Sequence, residues 1–237
     1  MDDRDPFARA PLPSARRPFL GLTILVVEDS RYASEALRLL CLKSGARIRR
    51  ADSLRTARRH LSVYRPTVLL VDLGLPDGCG GTLLQEAAAA QPPVPARLGM
   101  SADPSRAAEA LAAGADGFLE KPIASLATFQ AAVLERLPDR APMACDEPPA
   151  DELRPDPAIY RDDLATAAEI IGGEMEEAEL DYLVQFLSGV ARSAGDAPLR
   201  LATDALAQAR REGRPRRNDL ARLAGLVQER LTERAAI

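Results

Sequence analysis

The sequence predicts two folds in succession: an α/β unit with a five-stranded parallel sheet, then an all-α unit resembling a four-helix bundle. Three observations carry this. Short β-branched and leucine runs alternate with helical stretches as far as Leu137. At Pro138–Pro157 the composition breaks, with six prolines, six acidic residues and hardly any periodic apolar positions. Beyond that break every apolar pattern has helical spacing.

The first strand, Thr23–Val27, runs straight into Glu28-Asp29-Ser30, and Ser30 is placed to cap a helix bearing Ala33, Ala36, Leu37, Leu40 and Cys41 that Gly45 stops. Arg47–Ala51 reads as a second strand whose Arg47, Arg49 and Arg50 put it at a sheet edge. Ser53 then opens a helix to about Tyr64. The four apolar residues Val68–Val71 deliver Asp72 to the Gly/Pro-rich turn Leu73-Gly74-Leu75-Pro76-Asp77-Gly78-Cys79-Gly80. A helix from about Thr82 to Ala90 follows, then Leu98–Ser101 as a weak fourth strand, and Asp103-Pro104 capping a helix that ends at Gly114. Gly117–Glu120 is the fifth strand and leads to Lys121-Pro122, and a helix from Ser125 to Leu137 closes the unit. In the second unit, Asp156-Pro157 caps a helix ending at Gly172-Gly173. The next helix buries Met175, Ala178, Tyr182, Leu183, Phe186, Leu187 and Val190; Asp196 starts a third, and Asn218 a fourth with Leu220, Leu223, Val227 and Leu231.

Composition sets the bounds. With 237 residues, 46% of them hydrophobic, the chain is large enough for one or two real cores. A net charge of −4 gives no overall pull toward nucleic acid or anionic membrane. Cys41, Cys79 and Cys145 lack metal-ligand or CxxC spacing and read as reduced thiols, and the longest apolar run, Phe19–Val27, is too short to span a bilayer. We therefore expect a cytoplasmic protein divided into a loose tail (1–20), an α/β domain (21–137), a linker (138–157) and a helical domain (158–237).

The chemistry gathers at one sheet edge. Glu28 and Asp29 stand at the end of strand one and Asp72 at the end of strand three, and in the flavodoxin-like strand order these strands are neighbours. Three carboxylates that close repel each other unless a cation sits among them, and a hard cation such as Mg²⁺ (or Mn²⁺) takes oxygen ligands and bridges carboxylates to phosphate. Ser101 and Lys121 end strands four and five on the same edge. A hydroxyl and an ammonium beside a metal-bound carboxylate suit a phosphoryl group on Asp72, which makes Asp72 the candidate nucleophile toward a phosphoryl donor.

On these residues, 22–137 resemble the receiver domain of two-component response regulators. The motifs are Glu28-Asp29, Asp72 within D-L-x-L-P-D-x-x-G, Ser101 in M-S-A, and Lys121-Pro122. The resemblance implies that Gly74 gives a backbone carbonyl to the metal, that Phe118 is an aromatic switch, and that the Lys121-Pro122 bond is cis. It implies a phospho-acceptor signalling protein rather than an enzyme, a histidine kinase or phosphotransfer protein as donor, and a homodimer through the face of the fourth helix, fifth strand and fifth helix. Arg97 and Gly99 stand on strand four where the family usually has aliphatic residues, which puts core packing there in question. The seven arginines of residues 45–65 and the lone His60 read as solvated surface.

In the helical unit, Gln185-Phe186-Leu187-Ser188-Gly189-Val190-Ala191-Arg192-Ser193-Ala194-Gly195 resembles the H-x-L-K-G-S-A-x-x-L-G stretch of histidine phosphotransfer domains. Gln185 replaces the phosphorylated histidine and Ser188 the lysine. That resemblance implies a phosphotransfer-like bundle unable to carry phosphate, acting as a protein-interaction output. The alternatives are an unrelated bundle whose small residues let helices approach, or a DNA-binding output using Arg210, Arg211, Arg214, Arg216 and Arg217.

Overall fold

A computed structural model of the chain describes residues 13–123, 125–137, 155–173 and 175–232. The expected tail up to residue 12 and most of the linker, 138–154, lie outside the described residues. The strands in chain order are β1 (Thr23–Val27), β2 (Arg47–Ala51), β3 (Val68–Asp72), β4 (Gly74–Leu75), β5 (Gly78–Cys79), β6 (Ala96–Ser101) and β7 (Gly117–Glu120). The helices are α1 (Arg31–Ser44), α2 (Leu54–Val63), α3 (Gly80–Ala89), α4 (Ala107–Ala112), α5 (Leu126–Leu134), α6 (Pro157–Gly172), α7 (Glu177–Ala194), α8 (Ala197–Arg211) and α9 (Arg217–Thr232).

Five strands form a parallel sheet in the order β2-β1-β3-β6-β7, with β2 at an edge as its arginines require. Its Arg47, Arg49 and Arg50 all face solvent. Because successive residues of a strand point to opposite faces, each inner strand feeds two cores. Ile24, Val26, Leu70 and Leu98 pack with Phe129 and Val133 on one face. Leu25, Val27, Leu69 and Val71 pack with Leu83 and Leu84 on the other. Phe19 is fully buried and meets Phe129 edge-on at 5.5 Å, so the packed body begins ahead of the expected boundary at residue 21. The register pairs Val27 with both Ala51 and Val71, Asp72 with Met100, and Ser101 with Glu120, which brings the carboxyl ends of the strands into one line.

Short-range chemistry places the helices. Ser30, Ser53 and Ser125 each accept a hydrogen bond from the amide three residues on, and Gly45, at φ 89°, closes α1. The structure differs from expectation after Asp72. The turn holds a two-residue antiparallel hairpin, β4 with β5, and α3 starts at Gly80 rather than Thr82. Asp77, near the hairpin tip, explains why that turn is ordered: its carboxylate accepts from the amides of Leu54 and Arg55 at 2.8 and 2.9 Å and so caps α2 from a distance. A Cβ on Gly80 would lie 2.0 Å from the Asp72 carbonyl, so only glycine lets α3 begin against the end of β3. The fourth helix opens as a 3-10 turn over Pro104–Arg106 before α4.

The question raised by β6 is answered by pairing and by close approach. Arg97 is held by Asp116, with Nη2 2.7 Å from Oδ1, while its own amide donates to Asp116 Oδ2 at 2.8 Å. Its Nε donates to the Gly114 carbonyl at 2.9 Å. Gly99 lets α4 sit directly on the strand, since a Cβ there would lie 2.7 Å from the Ala110 Cβ.

Helices α6–α9 form a closed ring in which α6 packs on α7 and α9, and α8 on α7 and α9. The short connections make consecutive helices antiparallel. The core is Leu164, Leu183, Phe186, Leu187, Val190, Leu199, Leu206, Leu223 and Val227. The expectation for the second helix of this unit needs correction: Ala178 is exposed and Leu180 buried in its place, and Met175 and Tyr182 are only half-buried, while Leu220 and Leu231 of α9 pack half-buried against the same core. The ring also rests on the α/β unit, where α1 packs against both α6 and α7, with Tyr32 edge-on to Tyr160 at 5.9 Å.

Gly99→Ala should destabilise the α/β unit by about 1–3 kcal/mol in urea unfolding, because the added methyl overpacks the α4 contact. Adding Ala110→Gly should return part of that loss, whereas an unchanged midpoint in the single variant would contradict the packing described.

Candidate functional site

The strand ends carry the expected side chains to one place. Glu28 follows β1, Asp72 ends β3, Ser101 ends β6, and Lys121 follows β7; all four are buried, and Asp29 is half-buried beside them. Lys121 Nζ bridges two carboxylates, donating to Asp72 Oδ2 at 2.7 Å and to Glu28 Oε2 at 2.8 Å. The second oxygen of Asp72 accepts from the Gly74 amide at 3.1 Å, and Glu28 Oε1 accepts from the Ser30 amide at 3.3 Å. Ser101 Oγ accepts from the Asp103 amide at 3.1 Å, and its carbonyl accepts from the Lys121 amide at 2.8 Å, so β6 and β7 hold each other's functional residue in register. Phe118, three residues before Lys121, is half-buried against the α3 side of the core, and the Lys121-Pro122 bond is cis.

One ammonium faces three carboxylates, and the electrostatics show the imbalance. Burial pushes Glu28 up to about 8, with Asp72 and Asp29 adding to the rise and Lys121 opposing it. Burial likewise raises Asp29 to about 6, with Asp72 adding and the Tyr182 hydrogen bond opposing. Burial disfavours the charged Lys121, yet Asp72 and Glu28 outweigh it and hold the ammonium protonated well above its ordinary range. Glu28, Asp29 and Asp72 each offer an oxygen, and these oxygens all lie within 4.8 Å of one another. An all-oxygen donor set carrying excess negative charge fits a hard divalent cation and is typical of a Mg²⁺ site.

Sequence reasoning missed the neighbours that come from the helical region. Tyr182 on α7 donates its hydroxyl to Asp29 Oδ2 at 2.7 Å, and its own ionisation is pushed up by burial and by Asp29. Gln185 Oε1 sits over the turn after Asp72, 2.6 Å from where a Gly74 Cβ would stand. Arg192 Nη1 donates to the Ala102 carbonyl at 2.6 Å. From α6, Asp163 accepts from Ser30 Oγ and from the amides of Arg31 and Tyr32 at 2.7, 2.9 and 3.1 Å. The only signal available in the sequence was a polar stripe at helical spacing on α7, and a stripe does not name the surface it meets.

Comparison with known proteins agrees with the geometry. Residues 24–133 match the Response regulator receiver domain family, and that match covers none of α6–α9. The KDP operon transcriptional regulatory protein KdpE of Escherichia coli (strain K12) is 30% identical over 99 residues, 42% of this chain and 44% of KdpE. The virulence transcriptional regulatory protein PhoP of Salmonella typhimurium (strain 14028s / SGSC 2262) is 31% identical over 106 residues, 43% of this chain and 46% of PhoP. The chain thus spans under half the length of these relatives. Among solved structures, a putative response regulator from Chloroflexus aurantiacus J-10-fl superposes with a TM-score of 0.41 at 28% identity, over 43% of this chain and 86% of that one. A response regulator protein from Burkholderia pseudomallei with a phosphorylated aspartic acid, calcium ion and citrate gives 0.42 at 26% identity, over 47% and 66%. The buried acid cluster, the bridging lysine, the strand order and the family match together make residues 24–133 a response regulator receiver domain of two-component signalling.

Proposed function

We propose that the chain is a response regulator whose receiver, residues 21–137, is phosphorylated on Asp72 by a histidine kinase or phosphotransfer protein, and whose helical domain, residues 158–237, is a protein-interacting output. One observation carries the reading: Asp72 ends the central strand with Lys121 Nζ 2.7 Å from one oxygen and two further carboxylates beside it. An Asp72 oxygen attacks the phosphorus of the donor's phosphohistidine, forming a P–O bond as the P–N bond breaks, and the imidazole leaves with the electron pair. Glu28, Asp29, Asp72 and the Gly74 carbonyl would hold Mg²⁺, which neutralises charge on the transferring oxygens. Lys121 ion-pairs with a phosphoryl oxygen, the Ser101 hydroxyl hydrogen-bonds another, and Phe118 takes up the space that Ser101 leaves. The altered α4–β7–α5 surface then meets a partner or a second copy.

Two observations favour a protein-directed, phosphotransfer-like output. The helices form an antiparallel ring, and Gln185 is exposed in the middle of α7, where a phosphotransfer histidine would stand. A carboxamide accepts no phosphoryl group, so the domain would recognise partners without relaying phosphate. The arginines at the end of α8 and before α9 do not favour DNA readout, since Arg210 pairs with Asp181 at 2.6 Å and Arg216 with Glu177 at 2.6 Å.

Incubation with acetyl phosphate and Mg²⁺ should give an acid-stable, base-labile phosphoprotein that Asp72→Asn abolishes; labelling that persists in Asp72→Asn contradicts the assignment. The raised values of Glu28 and Asp29 carry a sign. The folded, metal-free state holds protons that the unfolded chain has lost, so this contribution to stability falls as pH rises between about 4 and 8. The gain in Tm from Mg²⁺ over EDTA should therefore be larger at pH ~8 than at pH ~5, and an equal gain at both would contradict it.

A further inference from the structure

The helical region does not merely touch the receiver. One face of α7 runs across the acidic edge, where residues spaced three and four apart meet the ends of four strands in turn. Tyr182 reaches Asp29 after β1, Gln185 reaches Gly74 after β3, Gly189 passes with its Cβ position 3.9 Å from Lys121 Nζ after β7, and Arg192 reaches Ala102 after β6. A second element secures the arrangement. Asp163 of α6, only 2% exposed, takes three hydrogen bonds at the positive end of α1, from Ser30 Oγ and the amides of Arg31 and Tyr32. Ser30 also donates its amide to Glu28 Oε1, so the clasp is continuous with the carboxylate cluster.

This surface is specific in chemistry. A phenol donor faces a carboxylate, a guanidinium faces a carbonyl, and a buried carboxylate faces free helix amides; each would be left unsatisfied against an unrelated surface. Asp72 is 7% exposed, with Lys121 Nζ on one oxygen and the Gly74 amide on the other, and α7 passes over both of these partners through Gly189 and Gln185. A phosphohistidine must come within bonding distance of Asp72 from the edge that α7 covers.

We propose that the α6–α7 face is a receiver-docking surface whose occupant is the unphosphorylated acidic edge of this chain's own receiver, so that it holds the ground a phosphodonor must take and phosphotransfer to Asp72 requires its release. This rests on the reading of Asp72 as phospho-acceptor. Docking and phosphorylation then oppose each other. The metal and phosphoryl group claim Asp29 and the space over Gly74, and the freed α6–α7 face becomes available to an output partner.

Two measurements on the full chain test it, using Asp163→Ala to remove the clasp and Tyr182→Phe to remove only the hydroxyl. The first is hydrogen exchange of the α1 amino-terminal amides of Arg31 and Tyr32, and the second is the initial rate of phosphorylation by acetyl phosphate with Mg²⁺. Both variants should be labelled faster than the wild type, Asp163→Ala by roughly tenfold, as loss of charged hydrogen bonds shifts the equilibrium toward the open form. Arg31 and Tyr32 should exchange faster in Asp163→Ala, and in the wild type once phosphorylated. Equal labelling rates in all three proteins, or unchanged protection on phosphorylation, would overturn the proposal while leaving Asp72 as acceptor. No labelling in any of them would reject the acceptor assignment and the proposal with it. Protection that grows with protein concentration would assign the contact to a second copy and overturn docking within the chain.

Discussion

Lys121 holds a single ammonium between Glu28 and Asp72, and the arrangement of the receiver's edge follows from having to keep that charge group buried. Taking ions out of water is costly, and breaking a buried pair by removing one partner costs about 3–5 kcal/mol. The fold meets the cost by registering β1, β3, β6 and β7 so that their carboxyl ends stop in one line, and by turning spare amides, those of Ser30 and Gly74, toward the carboxylates. Negative charge still exceeds positive. Burial raises Glu28 and Asp29, and the neighbouring carboxylates add to the rise, so the edge favours cations and hydrogen-bond donors.

The helical region uses the same excess. Tyr182 offers its proton to Asp29, while Asp163 meets the amino-terminal amides of α1 rather than the carboxylates. Donors therefore meet acids, and the α6 acids Asp163 and Asp162 are placed where donors lie, on the α1 amides and on Arg31. The apolar contacts along α1, including Tyr32 against Tyr160, extend the contact beyond the cluster. The receiver and the helical region thus share one surface, and it lies at the edge that carries Asp72.

What was legible in the sequence was whatever is decided locally. The run Val68–Val71 ending in Asp72, the caps Ser30, Ser53 and Asp156, and the stop Gly45 are set by side chains within a few residues, and they lie where they were expected. The convergence of Glu28, Asp29, Asp72, Ser101 and Lys121 was legible too, because strand order fixes it. Three features were not. Asp77 caps α2 from a separate turn, Asp116 neutralises Arg97 from the turn before β7, and Asp163 and Tyr182 find their partners across more than a hundred residues. Each of those carboxylates or hydroxyls reads as an ordinary polar surface position until the tertiary fold supplies its partner.

The claim that most depends on this physics is that Glu28, Asp29 and Asp72 form one divalent-cation site with more negative charge than Lys121 can balance. Calorimetric titration of the full chain with Mg²⁺ near neutral pH, in buffers of different ionisation enthalpy, measures it directly. Saturable binding of one ion per chain, with protons released from the raised carboxylates and with binding lost in Asp29→Asn, is the result the cluster predicts. Binding without proton release, or undiminished in Asp29→Asn, would contradict it.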